Sequence, residues 1–232
     1  MTFLLITWFM QSSINMILFD LDGTLVDTAP DLGYALNLQR ELHGLAHLPM
    51  EVIRPFASHG SKGLLNIGFG LTPEDESFEP MRVEYLDLYD QVFTRSPVLF
   101  NGVGELLANL QKCDIKWGVV TNKPRRFAAP LIESMQLSTP MACLVCGDDA
   151  ALPKPAPDTL LMACEQSLVR PEHCLYVGDA ERDIEAGNAA GMKTVVALWG
   201  YIDATDQPAK WGADFTIDQP LELLALTRKA LN

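Results

Sequence analysis

Short apolar runs and amphipathic stretches alternate along most of this chain. Ile17–Phe19, Ile115–Val120, Leu144–Cys146, Leu175–Val177, Thr194–Ala197 and Phe215–Ile217 are dominated by apolar and β-branched residues, the pattern of strands buried on both faces. Helical faces lie between them. Val103, Leu106, Leu107 and Leu110 recur at i, i+3, i+4, i+7, and Phe127, Ala128, Leu131, Ile132 and Met135 repeat behind Pro124, which is placed to open a helix. The alternation predicts an α/β fold: a Rossmann-like parallel sheet with helices on both faces.

One interval breaks the rhythm. Between Pro30 and Pro97 no buried strand can be read; the interval holds helical patterns such as Met81, Tyr85, Leu88, Tyr89 and Val92, and a glycine-rich turn from Gly60 to Gly70. Residues 16–30 and 97–232 are therefore expected to form the α/β core, and 31–96 an inserted α-helical cap domain with Pro30 and Pro97 in the linkers. Residues 1–15 read as a leader of uncertain status. Their apolar run, Phe3 to Met10, is too short to span a bilayer and has no preceding Lys or Arg, and Met16 could itself be a start.

With 232 residues and 48% hydrophobic composition, the chain can bury one large core or a core and a smaller companion. A net charge of -13, from 17 basic and 30 acidic residues, argues against nucleic acid or an anionic membrane as partner. An anionic substrate then needs a local cation. Five cysteines, an odd number placed mostly in apolar runs, do not form a disulfide framework, so the cytoplasm is the expected compartment. Cys143 and Cys146 have CxxC spacing, but the run ACLVCG reads as a strand and no second ligand pair accompanies it.

The first strand runs into Asp20-Leu21-Asp22-Gly23-Thr24, so two carboxylates follow a buried strand and a glycine follows them. Alternate residues of an extended chain point the same way, so Asp20 and Asp22 can face one site. Two adjacent negative groups repel, and Mg2+ is a physical means of holding both near a phosphoryl group. Three later segments also fall after predicted strands: Thr121-Asn122, Lys154 in Lys-Pro-Ala-Pro, and Gly178-Asp179 with Asp183 beyond. Each has a bland reading by itself. Thr121 and Asn122 could cap a helix, Lys154 could be a surface lysine, and Asp179 and Asp183 could line a helix N-terminus.

Taken together, the four segments resemble the motifs of the haloacid dehalogenase superfamily, from Met16 to the C-terminus, and the helical insert resembles the phosphoglycolate phosphatase-like branch. The resemblance implies Asp20 as nucleophile, Asp22 as general acid/base, and Thr121 and Lys154 as phosphoryl contacts. It also implies Mg2+ held by Asp20, the Asp22 backbone carbonyl and Asp179, with Asp183 in support. Gly23, Thr24 and Asn122 are expected to contact the phosphoryl group. Arg54, His59 and Lys62 form a basic loop expected to meet the far end of the substrate. Trp117–Pro124, Gly200–Ile202 and Trp211–Asp214 look like the branch acting on N-acetylmuramic acid 6-phosphate. The expected substrate is a small phosphorylated metabolite, either that sugar phosphate or 2-phosphoglycolate, and the enzyme is expected to be a monomer or homodimer. A sugar-phosphate mutase, or a non-enzymatic binding protein on the same fold, remains a rival.

Overall fold

The computed structural model describes residues 14–229. Its strands are β1 (Met16–Phe19), β2 (Val26–Asp27), β3 (Val98–Leu99), β4 (Lys116–Val120), β5 (Leu144–Val145), β6 (Cys174–Gly178), β7 (Lys193–Ala197) and β8 (Phe215–Ile217). Its helices are α1 (Ala29–Leu42), α2 (Met50–Ile53), α3 (Gly60–Phe69), α4 (Phe78–Asp90), α5 (Val103–Lys112), α6 (Arg125–Ser134), α7 (Asp158–Ser167), α8 (Glu181–Ala189) and α9 (Leu223–Lys229). Six strands form one parallel sheet in the order β5-β4-β1-β6-β7-β8. These are the six apolar runs of the sequence.

Side chains alternate across the sheet, so odd and even positions feed separate cores. Ile17, Phe19, Trp117, Val119, Leu175 and Val177 pack on one face with Leu106 and Leu110 of α5 and Leu131 of α6. On the other face Met16, Leu18, Val120 and Tyr176 meet Leu160 of α7 and Ala186 of α8. With both faces covered, the strands need the near-continuous apolar composition observed.

Helices α1 to α4 lie between β2 and β3, which pair antiparallel as a short ribbon that the sequence pattern did not suggest. The helices share their own cluster, built from Leu36, Ile53, Leu64, Leu65, Tyr85 and Tyr89, and Phe127 and Tyr201 join it from the sheet side. Two details correct the expectation. Pro30 is not in a linker; it sits in the first turn of α1, where its missing N–H costs nothing. The glycine-rich stretch is not a turn; it is α3. Leu64 and Leu65 are buried, and Gly68 lets Leu36 of α1 approach so closely that an added Cβ would lie 2.7 Å from its Cδ1. The turn signal belongs to the helix end, where Gly70 takes φ 72°.

Among the described residues no helix is long and apolar enough to cross a membrane. The five cysteines are free, and Cys143 and Cys146 are buried beside β5. The apolar run of residues 3–10 lies outside the described residues.

Candidate active site

The strand order brings the motifs together. Strands β4 and β6 flank β1, with Phe19 in register with Val119 and Val177, so the residues after the three strand ends emerge side by side. Those residues are Thr121, Asp20 and Asp179, at the carboxyl edge where such sheets place their ligands. Lys154 enters from the loop between β5 and α7, and Asp183 from the first turn of α8.

All five are buried. The Lys154 ammonium is 3.0 Å from Asp20 Oδ1 and 2.8 Å from Asp183 Oδ1, and it also donates to Tyr176 Oη at 2.7 Å and to the Val120 carbonyl at 3.1 Å. A buried cation needs that many acceptors to replace its water. Asp20, Asp179 and Asp183 offer oxygens all within 4.8 Å of one another. Three buried carboxyls at that spacing repel. Burial, with the charges of Asp20 and Asp183, pushes the Asp179 carboxyl from its ordinary 3.8 up to about 7. Burial also raises Asp183, although Lys154 pulls it back.

An all-oxygen, negatively charged and buried donor set fits a hard divalent cation such as Mg2+. The backbone supports the fit. Gly23 takes φ +88°, and a Cβ there would lie 2.1 Å from Asp179 Oδ2, so only glycine leaves the carboxylate its space.

Asp179 fixes a pH test of this donor set. Its carboxyl is raised in the folded protein, so the folded state holds that proton more tightly than the unfolded chain. The resulting stability is present below an ordinary carboxyl pKa and is lost as pH rises through about 7. A cation that binds the ionised form restores stability only above that point. The rise in Tm on adding Mg2+ is therefore expected to be several degrees larger at about pH 8 than at about pH 5.5; a pH-independent rise would overturn the raised Asp179 carboxyl.

Several residues take different partners from those the sequence suggested. The Gly23 amide donates to the Val26 carbonyl at 3.1 Å, closing the turn after β1, and is spent there. The Thr24 hydroxyl donates to Asp179 Oδ1 at 2.9 Å, so Thr24 braces the carboxylate. Asn122 donates to the Lys154 carbonyl at 2.8 Å and accepts from the Lys154 amide at 2.9 Å, and so positions the lysine backbone. The Thr121 hydroxyl accepts from the Lys123 amide at 3.2 Å. Arg54 grips Asp27 with two hydrogen bonds of 3.0 and 2.9 Å and stacks over Tyr201, at the junction between sheet and insert. Its fork is occupied by a carboxylate that lies 27 residues away in sequence.

Other groups at the site were given no role by the sequence. Lys123 spans sheet and insert: its ammonium contacts Asp22 at 3.1 and 3.3 Å and Tyr89 Oη at 2.8 Å. Asp22 also accepts from the Thr28 hydroxyl at 2.5 Å. Ser58, from the 3-10 turn Arg54–His59, donates to Asp179 Oδ2 at 2.7 Å, and its carbonyl accepts from Arg182. The Tyr201 amide donates to the same carboxylate oxygen, while its hydroxyl accepts from the Thr28 and Ala29 amides and donates to Asp27. The available signals were segments without roles: Lys123 and Tyr201 lie in Trp117–Pro124 and Gly200–Ile202, and Ser58 in the basic loop, while the partners that give them and Arg182 a place are distant in sequence.

A cleft of about 1070 Å³ lies between the insert and the sheet edge. Asp22, Lys123, Lys154 and Arg182 line it from the sheet side, and His59 and Lys62 from the helices; Arg54 is absent from its wall.

The model of the haloacid dehalogenase-like hydrolases matches residues 17–197. The chain belongs to that family. The N-acetylmuramic acid 6-phosphate phosphatase of Pseudomonas aeruginosa is 40% identical over 94% of this chain and 96% of its own length. A phosphoglycolate phosphatase of Xanthomonas campestris is 39% identical over 89% of this chain and 93% of its own. The crystal structure of a predicted phosphoglycolate phosphatase from Haemophilus somnus superposes with a TM-score of 0.79 at 24% identity, covering 92% of this chain and 98% of that one, a likeness of fold. This family member is an enzyme of the phosphatase type, and its sheet is the α/β fold expected.

Proposed function

We propose that this hydrolase is a Mg2+-dependent phosphomonoesterase that transfers phosphate to Asp20 and then to water. The observation that carries the reading is the Asp20 carboxylate, held 3.0 Å from a fully buried lysine inside a cluster of three acids at the carboxyl edge of a parallel sheet. Mg2+ held by Asp20, Asp179 and the Asp22 backbone carbonyl supplies charge neutralisation between two anions that must approach each other.

The protein's own groups divide the remaining work. One Asp20 oxygen attacks phosphorus while Lys154 offsets charge on the transferring oxygens and keeps the carboxylate in place. Asp22 protonates the leaving alkoxide, then takes a proton from the water that hydrolyses the aspartyl phosphate. The Thr121 hydroxyl adds a donor to the phosphoryl oxygens. Asp183 holds Lys154. Asp20 is only 3% exposed, beneath an insert whose Ser58 donates to Asp179 and whose Tyr89 meets Lys123, the partner of Asp22, so residues 31–96 act as a cap that opens for substrate and closes for chemistry.

Of the two relatives described above, the N-acetylmuramic acid 6-phosphate phosphatase matches more of this chain, 94% against 89%. N-acetylmuramic acid 6-phosphate is therefore our first substrate and 2-phosphoglycolate the second, each being what a relative of 39–40% identity is named for. Free thiols fit action in the cytoplasm.

Phosphate release from a panel of phosphorylated metabolites with Mg2+ tests the reading. These two substrates are expected to exceed a generic aryl phosphate by tenfold or more in kcat/KM, a margin of about 1.4 kcal/mol. Phosphate passed to a sugar hydroxyl without release would indicate a mutase, and activity on neither would sink the proposal.

A further inference from the structure

Lys123 follows the end of β4 at the carboxyl edge of the sheet, and its main chain is fixed there. Its amide donates to Thr121 Oγ1 at 3.2 Å, and its carbonyl accepts from the Gly147 amide at 3.4 Å. A free lysine side chain has about 2 kcal/mol of rotamer freedom to lose. Here that freedom is gone, because the side chain is 5% exposed and its ammonium is bound on two sides. On the sheet side it lies 3.1 and 3.3 Å from the two oxygens of Asp22; on the insert side it donates to Tyr89 Oη at 2.8 Å and lies 4.8 Å from the centre of that ring. Tyr89 is itself held, stacked on Tyr85 and tilted against Phe93 and Phe127. Among the described residues the other side chain bonded to Asp22 is Thr28, which reaches Oδ1. One bond to one oxygen leaves the carboxyl plane free to turn about it. Lys123 spans both oxygens and sets that plane, while Lys154 is spent on Asp20 and Asp183.

We propose that Lys123 is the positioning residue for Asp22, and that Tyr89 makes its placement depend on the docked insert; the assignment deepens the phosphomonoesterase reading and rests on it. In the step concerned, the bond from Asp20 to phosphorus forms, the bond from phosphorus to the leaving oxygen breaks, and the Asp22 proton passes to that oxygen. Proton transfer requires the carboxyl group to be aimed at the leaving oxygen. The ammonium aims it, and the cation is already in place beside the charge that Asp22 gains as its proton leaves. When the insert lifts away Lys123 loses Tyr89, so the acid is held while substrate is enclosed and is loose while the cleft is open to water.

Leaving-group dependence tests the role, because a poor leaving oxygen needs the proton and a good one does not. The quantity to compare is kcat/KM, which covers formation of the aspartyl phosphate and excludes its hydrolysis. For Lys123→Met the loss on phenyl phosphate is expected to exceed the loss on p-nitrophenyl phosphate by about tenfold. Tyr89→Phe keeps the ring and removes only the hydroxyl; it is expected to shift the ratio the same way by less, and it reports even if Lys123→Met folds poorly. Lys123→Arg still carries a cation to the carboxylate and should restore most of the ratio. Adding Lys123→Met to Asp22→Asn should leave the ratio of Asp22→Asn unchanged, as it must if one residue acts through the other. Equal losses on the two esters, or effects of Lys123 and Asp22 that multiply, would overturn the proposal and leave Lys123 as a tie between sheet and insert. A wild-type enzyme that released no phosphate from any monoester would defeat the phosphomonoesterase reading itself, a result seen before any variant is made.

Discussion

Asp20→Asn is expected to release phosphate at no more than background, a loss on the order of 10^4-fold or more, while keeping its fold. An amide has the shape of the carboxylate but neither its nucleophilicity nor its charge. The fold survives because Asn can still accept from the Leu21 amide, which lies 2.7 Å from Asp20 Oδ1. The substitution also removes one of three mutually repelling charges, so without Mg2+ the variant is expected to melt no lower than the wild type. Mg2+ should then raise its Tm less. Acid quenching of the wild-type enzyme during turnover is expected to show one added phosphoryl group, absent from the variant. Phosphate release by a pure Asp20→Asn preparation above a small fraction of wild type would overturn the mechanism.

Lys154→Met has the second largest expected effect, and it reaches both activity and stability. The side chain is fully buried, and its ammonium is the cation in contact with Asp20 and Asp183. Methionine fills the volume but takes that donor from two buried carboxylates and from the Tyr176 hydroxyl oxygen, while the Val120 carbonyl still accepts from Tyr176 at 2.8 Å. Breaking a buried pair from one side costs roughly 3–5 kcal/mol, and loss of the cation at the phosphoryl group lowers kcat on the order of 10^3-fold. The stability loss has a pH signature. Asp183 is already raised by burial, and without Lys154 it rises further, so the folded variant binds that proton more tightly than the unfolded chain. Stability from such a group is present at low pH and is lost as pH rises through the folded pKa. The Tm gap between variant and wild type is therefore expected to narrow from about pH 8 to about pH 5. A gap that stays constant would mean that packing, and not uncompensated charge, is what the lysine supplies.

The four motifs were legible because each follows an apolar run, and a run buried on both faces of a parallel sheet ends at the ligand edge whatever its neighbours are. Their partners were not legible in the same way. Asn122 reads as a ligand or a cap, yet its amide is satisfied by the backbone of Lys154, 32 residues on. Arg54 reads as a substrate cation within a basic loop, yet Asp27 takes it. Hydrogen-bond capacity is finite, and a group consumed by a distant partner looks free in any local reading.

What the sequence by itself determined is the list of elements and the chemistry at their ends: six apolar strands, amphipathic helices, a helical interval between Pro30 and Pro97, and acids, threonine and lysine after the strands. Periodicity and composition are local quantities, and burial on two faces writes them directly into the chain. The tertiary structure decided which strand ends became neighbours, because the order β5-β4-β1-β6-β7-β8 depends on crossovers that no local pattern encodes. It turned the glycine-rich stretch into a helix, through the close packing of Gly68 against Leu36. It also brought Ser58 and Tyr201 to Asp179, Lys123 to Asp22 and Arg182 to the cleft. Their roles rest on contacts across the seam between insert and sheet, and a seam between segments far apart in sequence has no periodicity to announce it.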